Sequence, residues 1–218
     1  MDGSIDCGTF TRMLNEAAKR VRDNQDLLTR LDSFGGDGDH GTTMVRAVGQ
    51  IEKVLCAAAE SAVTIGALLR DVGWAVMGVD GGATGPLLGS FFSAMGDRLE
   101  ETGHEAVDAG RLAAALSAGL DGVQKYTKAR VGDKTMIDAL EPAVGAANSA
   151  AEAGRSARDA ILSAADAAEE GARATRSMQA RFGRAKNLGP DSVGNEDPGA
   201  VSVSLLFRGF ADGVKNDG

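Results

Sequence analysis

Asp32, Asp37 and Asp39 surround the glycine turn of LDSFGGDGDHGTTM, residues 31–44. Carboxylates converging at about 5 Å repel by about 3 kcal/mol per pair at an effective dielectric of about 20. A fold keeps such a cluster when a cation neutralises it, and hard divalent cations take oxygen ligands. An EF-hand calcium loop needs Glu at its twelfth position. Counting from Asp37 reaches Val48 there, and from Asp32 reaches Thr43. Magnesium bridging to a phosphate is therefore the better reading of the three aspartates, set against an ordinary Asp/Gly-rich surface turn.

Other segments carry groups suited to a phosphate. Gly41, Thr42 and Thr43 open a helix, whose free N–H groups and positive end attract anions. VDGGATGPL, residues 79–87, offers close backbone approach and the Thr84 hydroxyl before a helix started by Pro86. GDKTM, residues 132–136, brings Asp133 and Lys134, which can pair or contact a ligand, and Met136, which can pack on a base or in a core. FGRA (182–185) and GNEDPG (194–199) add Arg184, a cation able to grip phosphate bidentately. No segment has the GxxxxGK[ST] pattern of a P-loop. His40 and His104 are far apart in sequence, His104 sits in a polar turn expected to be exposed, and no nucleophile elbow is present.

The elements that must position these residues are helical almost throughout. Phe10, Leu14, Ala17, Ala18 and Val21 form a stripe continued by Leu28 and Leu31. Val45–Leu55, Ile65–Val79, Phe91–Leu99 and Leu112–Val123 supply four more, the last preceded by Asp108 as N-cap. A capping-box pattern, Thr135 with Asp138, opens a sixth helix, and Ala-rich residues 150–177 make a seventh. The last spans 199–214, with Asp197 as N-cap and Pro198 at the first helical position. Trp74 falls in an apolar stripe and reads as core. The predicted fold is all-α: eight antiparallel amphipathic helices in one domain, residues 1–218, with the Gly-rich junctions meeting at one end.

Composition narrows the function. The net charge is -8, so a nucleic acid or an anionic membrane is a poor partner. An acidic chain binding a phosphate needs an intervening metal. Two cysteines without metal-type spacing read as free thiols, and the acidic N-terminus lacks the features of a signal peptide. A cytoplasmic location is expected.

Four segments in this order, LDSFGGDGDHGTTM, GGATGPL, GDKTMIDAL and GRAKNLGPDSVGNEDPGA, resemble the nucleotide-binding (L) subunit of dihydroxyacetone kinases, the DhaL type. The family patterns are LDxxIGDGDHGxNM, GGTSGPL, GDKTMxDAL and GRAxxLGxxSxGxxDPGA, and the match spans essentially the whole chain. The resemblance implies a barrel of eight antiparallel helices. It places Asp32, Asp37 and Asp39 on magnesium, in all two ions, that bridge the diphosphate of ADP or ATP. His40, Gly41, Thr42, Thr43, Ala83, Thr84, Met136, Arg184, Asp197, Pro198 and Gly199 would cradle the nucleotide, with Thr127 near the adenine and Arg184 meeting the charge that develops in transfer.

The acceptor, a short ketose such as dihydroxyacetone or erythrulose, is implied to sit on a separate K-type subunit. The phosphate would come from ATP or from a phosphotransferase-system phosphocarrier recharging bound ADP. Thr43 stands where the family has Asn, Ala83 where it has Thr, and Thr127 where many members have Gly, which points to a divergent branch. Two alternatives accompany this reading. One is a non-catalytic ADP-binding regulator. The other is the donor domain of a fatty-acid-kinase-like system, disfavoured by a chain expected to carry no further domain.

Overall fold

The apolar stripes are wound into nine α-helices in the computed structural model, which describes residues 3–59, 63–101 and 106–215. These are α1 (Cys7–Asp23), α2 (Gln25–Gly35), α3 (His40–Ala58), α4 (Ile65–Met77), α5 (Thr84–Glu100), α6 (Ala109–Gln124), α7 (Ile137–Glu152), α8 (Ala157–Ala174) and α9 (Pro198–Lys215). Two 3₁₀ segments, Thr175–Ser177 and Arg184–Ser192, lie between α8 and α9. Among the described residues the extended pairing is one bridge, Ile5 with Val107. His104 lies outside the described residues.

Eight helices close a ring in which α1, α3, α4, α5, α6, α7, α8 and α9 each pack on the next and α9 returns to α1. The ninth, α2, sits outside it against α3, α9 and the longer 3₁₀ segment. The sequence stripe through Leu31 reads as one helix but is broken at Asn24. Its amide caps the end of α1, with Nδ2 donating to Arg20 O at 2.8 Å, so the chain turns into α2. The predicted helix over 150–177 likewise divides. Gly154, at φ 69°, ends α7, and Ser156 caps α8 by accepting from Asp159 N at 3.1 Å.

The interior is aliphatic with a small aromatic group. Phe91 meets Phe92 edge-on at 5.4 Å between ring centroids, and Phe207 meets Phe210 likewise at 5.6 Å. Small residues close the α1–α9 seam. A Cβ on Gly209 would lie 2.2 Å from Ala17 Cα, so the two backbones touch where any larger residue would force them apart. Trp74 corrects an expectation: it is 72% exposed. Val72 and Val76 of α4 are buried, and Trp74, two residues from each, is turned about 200° to the opposite face.

Capping differs between the two ends of the barrel, with α9, capped at the near end by Asp197, as the exception. Helices α1, α4, α6 and α8 start at the far end, and each has a side-chain cap, from Asp6, Thr64, Asp108 and Ser156. The N-terminal segment crosses that end through the Ile5–Val107 bridge. Helices α3, α5 and α7 start at the near end, where Asp39, Ala83 and Met136 make no side-chain cap. No helix among the described residues is long and apolar enough to cross a membrane.

Candidate functional site

The near-end junctions, α2–α3, α4–α5, α6–α7 and α8–α9, surround a cleft of about 550 Å³. Asp32 comes from the last turn of α2, and Asp37 and Asp39 from the loop that follows. One oxygen of each carboxylate lies within 4.8 Å of the others. Asp32 is fixed from two directions: its main-chain carbonyl accepts from Gly36 N at 2.6 Å and its Oδ2 from His40 N at 3.2 Å. Arg184 reaches over from the longer 3₁₀ segment and pairs with Asp37, both side chains being largely open to solvent. Ala185 packs against Gly35, which seats that segment on α2.

His40 sits at the floor of this arrangement. Its Nε2 is 2.8 Å from Ser202 Oγ, and its Nδ1 is 3.4 Å from Thr84 Oγ1. Burial holds its pKa below the ordinary imidazole value, against the pull of Asp32, the Pro198 backbone and Asp39. The ring is therefore neutral near pH 7 and ties α3, α5 and α9 together without adding charge to the cleft.

Asp197 opens α9 by accepting from Ala200 N at 2.8 Å. Burial pushes its carboxyl up from 3.8 to about 7, with Asp138 adding repulsion and Lys134 opposing it. Asp138, buried, organises the 132–135 turn through Oδ1 with Gly132 N at 2.6 Å and Oδ2 with Thr135 N at 2.7 Å. The expected capping box of Thr135 and Asp138 is half formed: the carboxylate accepts from Thr135 N, while the Thr135 hydroxyl accepts from Ile137 N at 3.2 Å in place of Asp138 N. Asp133 and Lys134 do not pair. Asp133 bonds Arg130 N and Arg181, while Lys134 points inward to main-chain carbonyls.

Of the residues singled out in the sequence, Asp32, Asp37, Asp39, His40, Ala83, Thr84, Thr127, Met136, Arg184, Asp197, Pro198 and Gly199 all line the cleft. Gly41, Thr42 and Thr43 stand outside its wall. A Cβ on Gly41 would meet Gln25 O at 2.4 Å, so this glycine serves the close approach of α2 to α3. Thr42 is exposed. Thr43 is 1% exposed, with its hydroxyl unpaired against Gly81. Sequence reading missed Ser202, Phe34 and Tyr126 on the wall. Ser202 carried a signal, a hydroxyl one turn after Pro198, but Phe34 and Tyr126 are isolated aromatics whose convergence only the fold supplies.

Fold and site together define an antiparallel eight-helix barrel whose near end gathers three carboxylates, a guanidinium and uncapped helix starts around one cleft. A family model for the DAK2 domain matches residues 35–212. The chain is 36% identical over 197 residues to the ADP-binding subunit DhaL of PEP-dependent dihydroxyacetone kinase 1 from Listeria innocua serovar 6a, covering 90% of this chain and 91% of that one. It is 34% identical over 213 residues to D-erythrulose kinase of Mycolicibacterium smegmatis, covering 98% of this chain and 36% of that enzyme. Dihydroxyacetone kinase of C. freundii superposes with a TM-score of 0.74 at 27% identity, over 97% of this chain and 35% of that one. A structure of that kinase with AMP-PNP and Mg2+ gives 0.70 at 28%, over 93% of this chain and 33% of that one. The chain belongs to the DAK2-domain family.

Proposed function

We propose that this chain is the nucleotide-binding subunit of a dihydroxyacetone-type kinase, donating a phosphoryl group to a short ketose held by a separate K-type subunit. The observation that carries the reading is the carboxylate cluster beside uncapped helix starts in one cleft. Three carboxylate oxygens form a hard donor set, and the space beside them is lined by groups that favour anions. That combination fits a metal–polyphosphate complex and neither component alone. The D-erythrulose kinase relative and the DhaL relative, which is named as an ADP-binding subunit, support the same class of reaction.

Asp32, Asp37 and Asp39 would hold magnesium, in all two ions, which when bound supplies the positive charge that joins carboxylates to phosphate oxygens. The chain's residues do the rest. The uncapped start of α5, at Ala83 and Thr84 on the cleft wall, faces the phosphates, and Thr84 offers its hydroxyl. Met136, Thr127 and the Pro198–Gly199 corner line the side left for the nucleoside. Arg184, on an exposed segment, moves from Asp37 to the transferring phosphoryl group. Phosphoryl transfer asks a protein for positioning and charge neutralisation more than covalent chemistry, and this cleft offers those. The phosphate source is ATP, or a phosphotransferase-system carrier that recharges bound ADP.

Isothermal titration with ADP and with ATP, each with magnesium and with EDTA, tests the reading. Magnesium-dependent binding is expected. Binding that is indifferent to EDTA, in protein shown by mass spectrometry to be free of copurified nucleotide, would remove the aspartates from the site.

A further inference from the structure

Residues 175–197, between α8 and α9, carry Arg184 and end at Asp197, yet contain only 3₁₀ turns. Lys134 reaches into this segment from the α6–α7 loop. Its Nζ donates to Thr175 O at 2.9 Å, Met178 O at 3.2 Å, Ser192 O at 2.7 Å and Asn195 O at 2.5 Å. The carbonyls come from both ends of the segment, so one ammonium ties its entry to its exit. A lysine ammonium has three protons, and four acceptors around it resemble the coordination of a free cation. Lys134 is 5% exposed and, among the described residues, is the non-glycine residue at positive φ, 60°. The backbone thus holds an unfavourable conformation that aims the side chain inward.

We propose that Lys134 is the positioning residue of the Arg184-bearing segment, acting as a tethered cation inside a cage of four main-chain carbonyls that accepts free ammonium or potassium once the tether is removed. Without Lys134 the carbonyls of Met178, Ser192 and Asn195 lose the ammonium that bonds them, while Thr175 O keeps only the Met178 N–H. Ammonium brings four donors of the same kind, and potassium is a natural occupant of carbonyl cages. Choline is too large to enter. The link to phosphoryl transfer rests on the function proposed above; the cage does not.

The test is Lys134→Ala in the full chain, followed by hydrogen exchange of peptides over 175–197 without nucleotide, in ammonium, potassium or choline chloride at equal ionic strength. In choline, 175–197 is expected to exchange about tenfold faster or more than in the wild type, while α4 and α5 keep their protection. Ammonium or potassium is expected to slow that exchange again, with the wild type indifferent to the salt. Lys134→Met, which keeps the aliphatic stem, is expected to show the same loss in choline. Unchanged protection of 175–197 in both variants overturns the clamp. Faster exchange that neither cation slows overturns the cage, as does a variant that stays unfolded in all three salts.

A second readout addresses positioning. With the K-type partner, kcat of Lys134→Ala is expected to fall while the ketose KM holds, and ammonium is expected to restore kcat. If the exchange result holds and kcat is unchanged, the cage stands and the positioning role of Lys134 falls; if the wild type itself transfers nothing with the K-type partner, the kinase reading falls and the cage still stands.

Discussion

His40 and Ser202, 162 residues apart, meet at 2.8 Å, and the direction of that bond is fixed by a third partner. The single proton of Ser202 Oγ goes to Pro198 O at 3.0 Å. The serine therefore accepts, Nε2 of His40 carries the hydrogen, and Nδ1 is left to accept from Thr84. Imidazole ¹⁵N shifts at pH 7.5 are expected to show the Nε2–H tautomer. Ser202→Ala should lower stability by about 1 kcal/mol, measured by thermal unfolding, because it removes one net hydrogen bond. An Nδ1–H tautomer in the wild type would sink this account.

The same pair shows how far the sequence could be read. His40 stands in a dense Asp/Gly motif and was visible as a site candidate. Ser202 lies in a Val-Ser-Val-Ser run, where a hydroxyl one turn after Pro198 was the sole hint and its partner was not legible. Local spacing exposes residues brought together by one turn, as with Asp32, Asp37 and Asp39. It says nothing of partners supplied by ring closure, which is why Phe34 and Tyr126 escaped notice. Trp74 failed for another reason. A stripe with apolar residues on several faces does not say which face is inside, and the glycines that let α4 and α5 approach decided it.

Asp37→Asn should abolish magnesium-dependent nucleotide binding and leave the helical fold intact. One carboxylate fewer relieves repulsion with Asp32 and Asp39, while the lost pair with Arg184 is solvent-exposed and contributes at most about 1 kcal/mol. Circular dichroism should give a melting temperature equal to or above the wild type. Titration with ADP and magnesium should give no heat. Wild-type affinity in this variant would end the metal assignment.

Asp197 should make stability depend on pH. Its folded-state carboxyl titrates at about 7 against an ordinary 3.8, so the native state holds a proton the unfolded chain has released. That contribution is fully present below pH 3.8 and is lost as pH rises through 7. Asp197→Asn keeps an acceptor for Ala200 N and removes the titration. Melting temperatures from pH 4 to 8 should fall less steeply in the variant, and the variant should be the more stable at pH 8. Parallel curves would show that Asp197 does not titrate in this range.

Arg184→Ala separates transfer from binding. The side chain is 62% exposed and paired with an exposed carboxylate, so its removal should shift stability by less than about 1 kcal/mol. Resting on Asp37, it contributes little to holding a ground-state nucleotide. A guanidinium that meets charge only as it develops can accelerate phosphoryl transfer by about 10³-fold or more. The expected result is an ADP affinity within about threefold of wild type, set by an exposed contact, and a kcat at least about a hundredfold lower with the K-type partner. Arg184→Lys should recover only part of it, because an ammonium lacks the planar fork. Adding Asp37→Asn tests whether Asp37 parks the guanidinium or merely neighbours it. In the parked case Arg184→Ala changes stability less in the Asp37→Asn background than in the wild type. An unchanged kcat in Arg184→Ala would take the residue out of the reaction whatever the cycle shows.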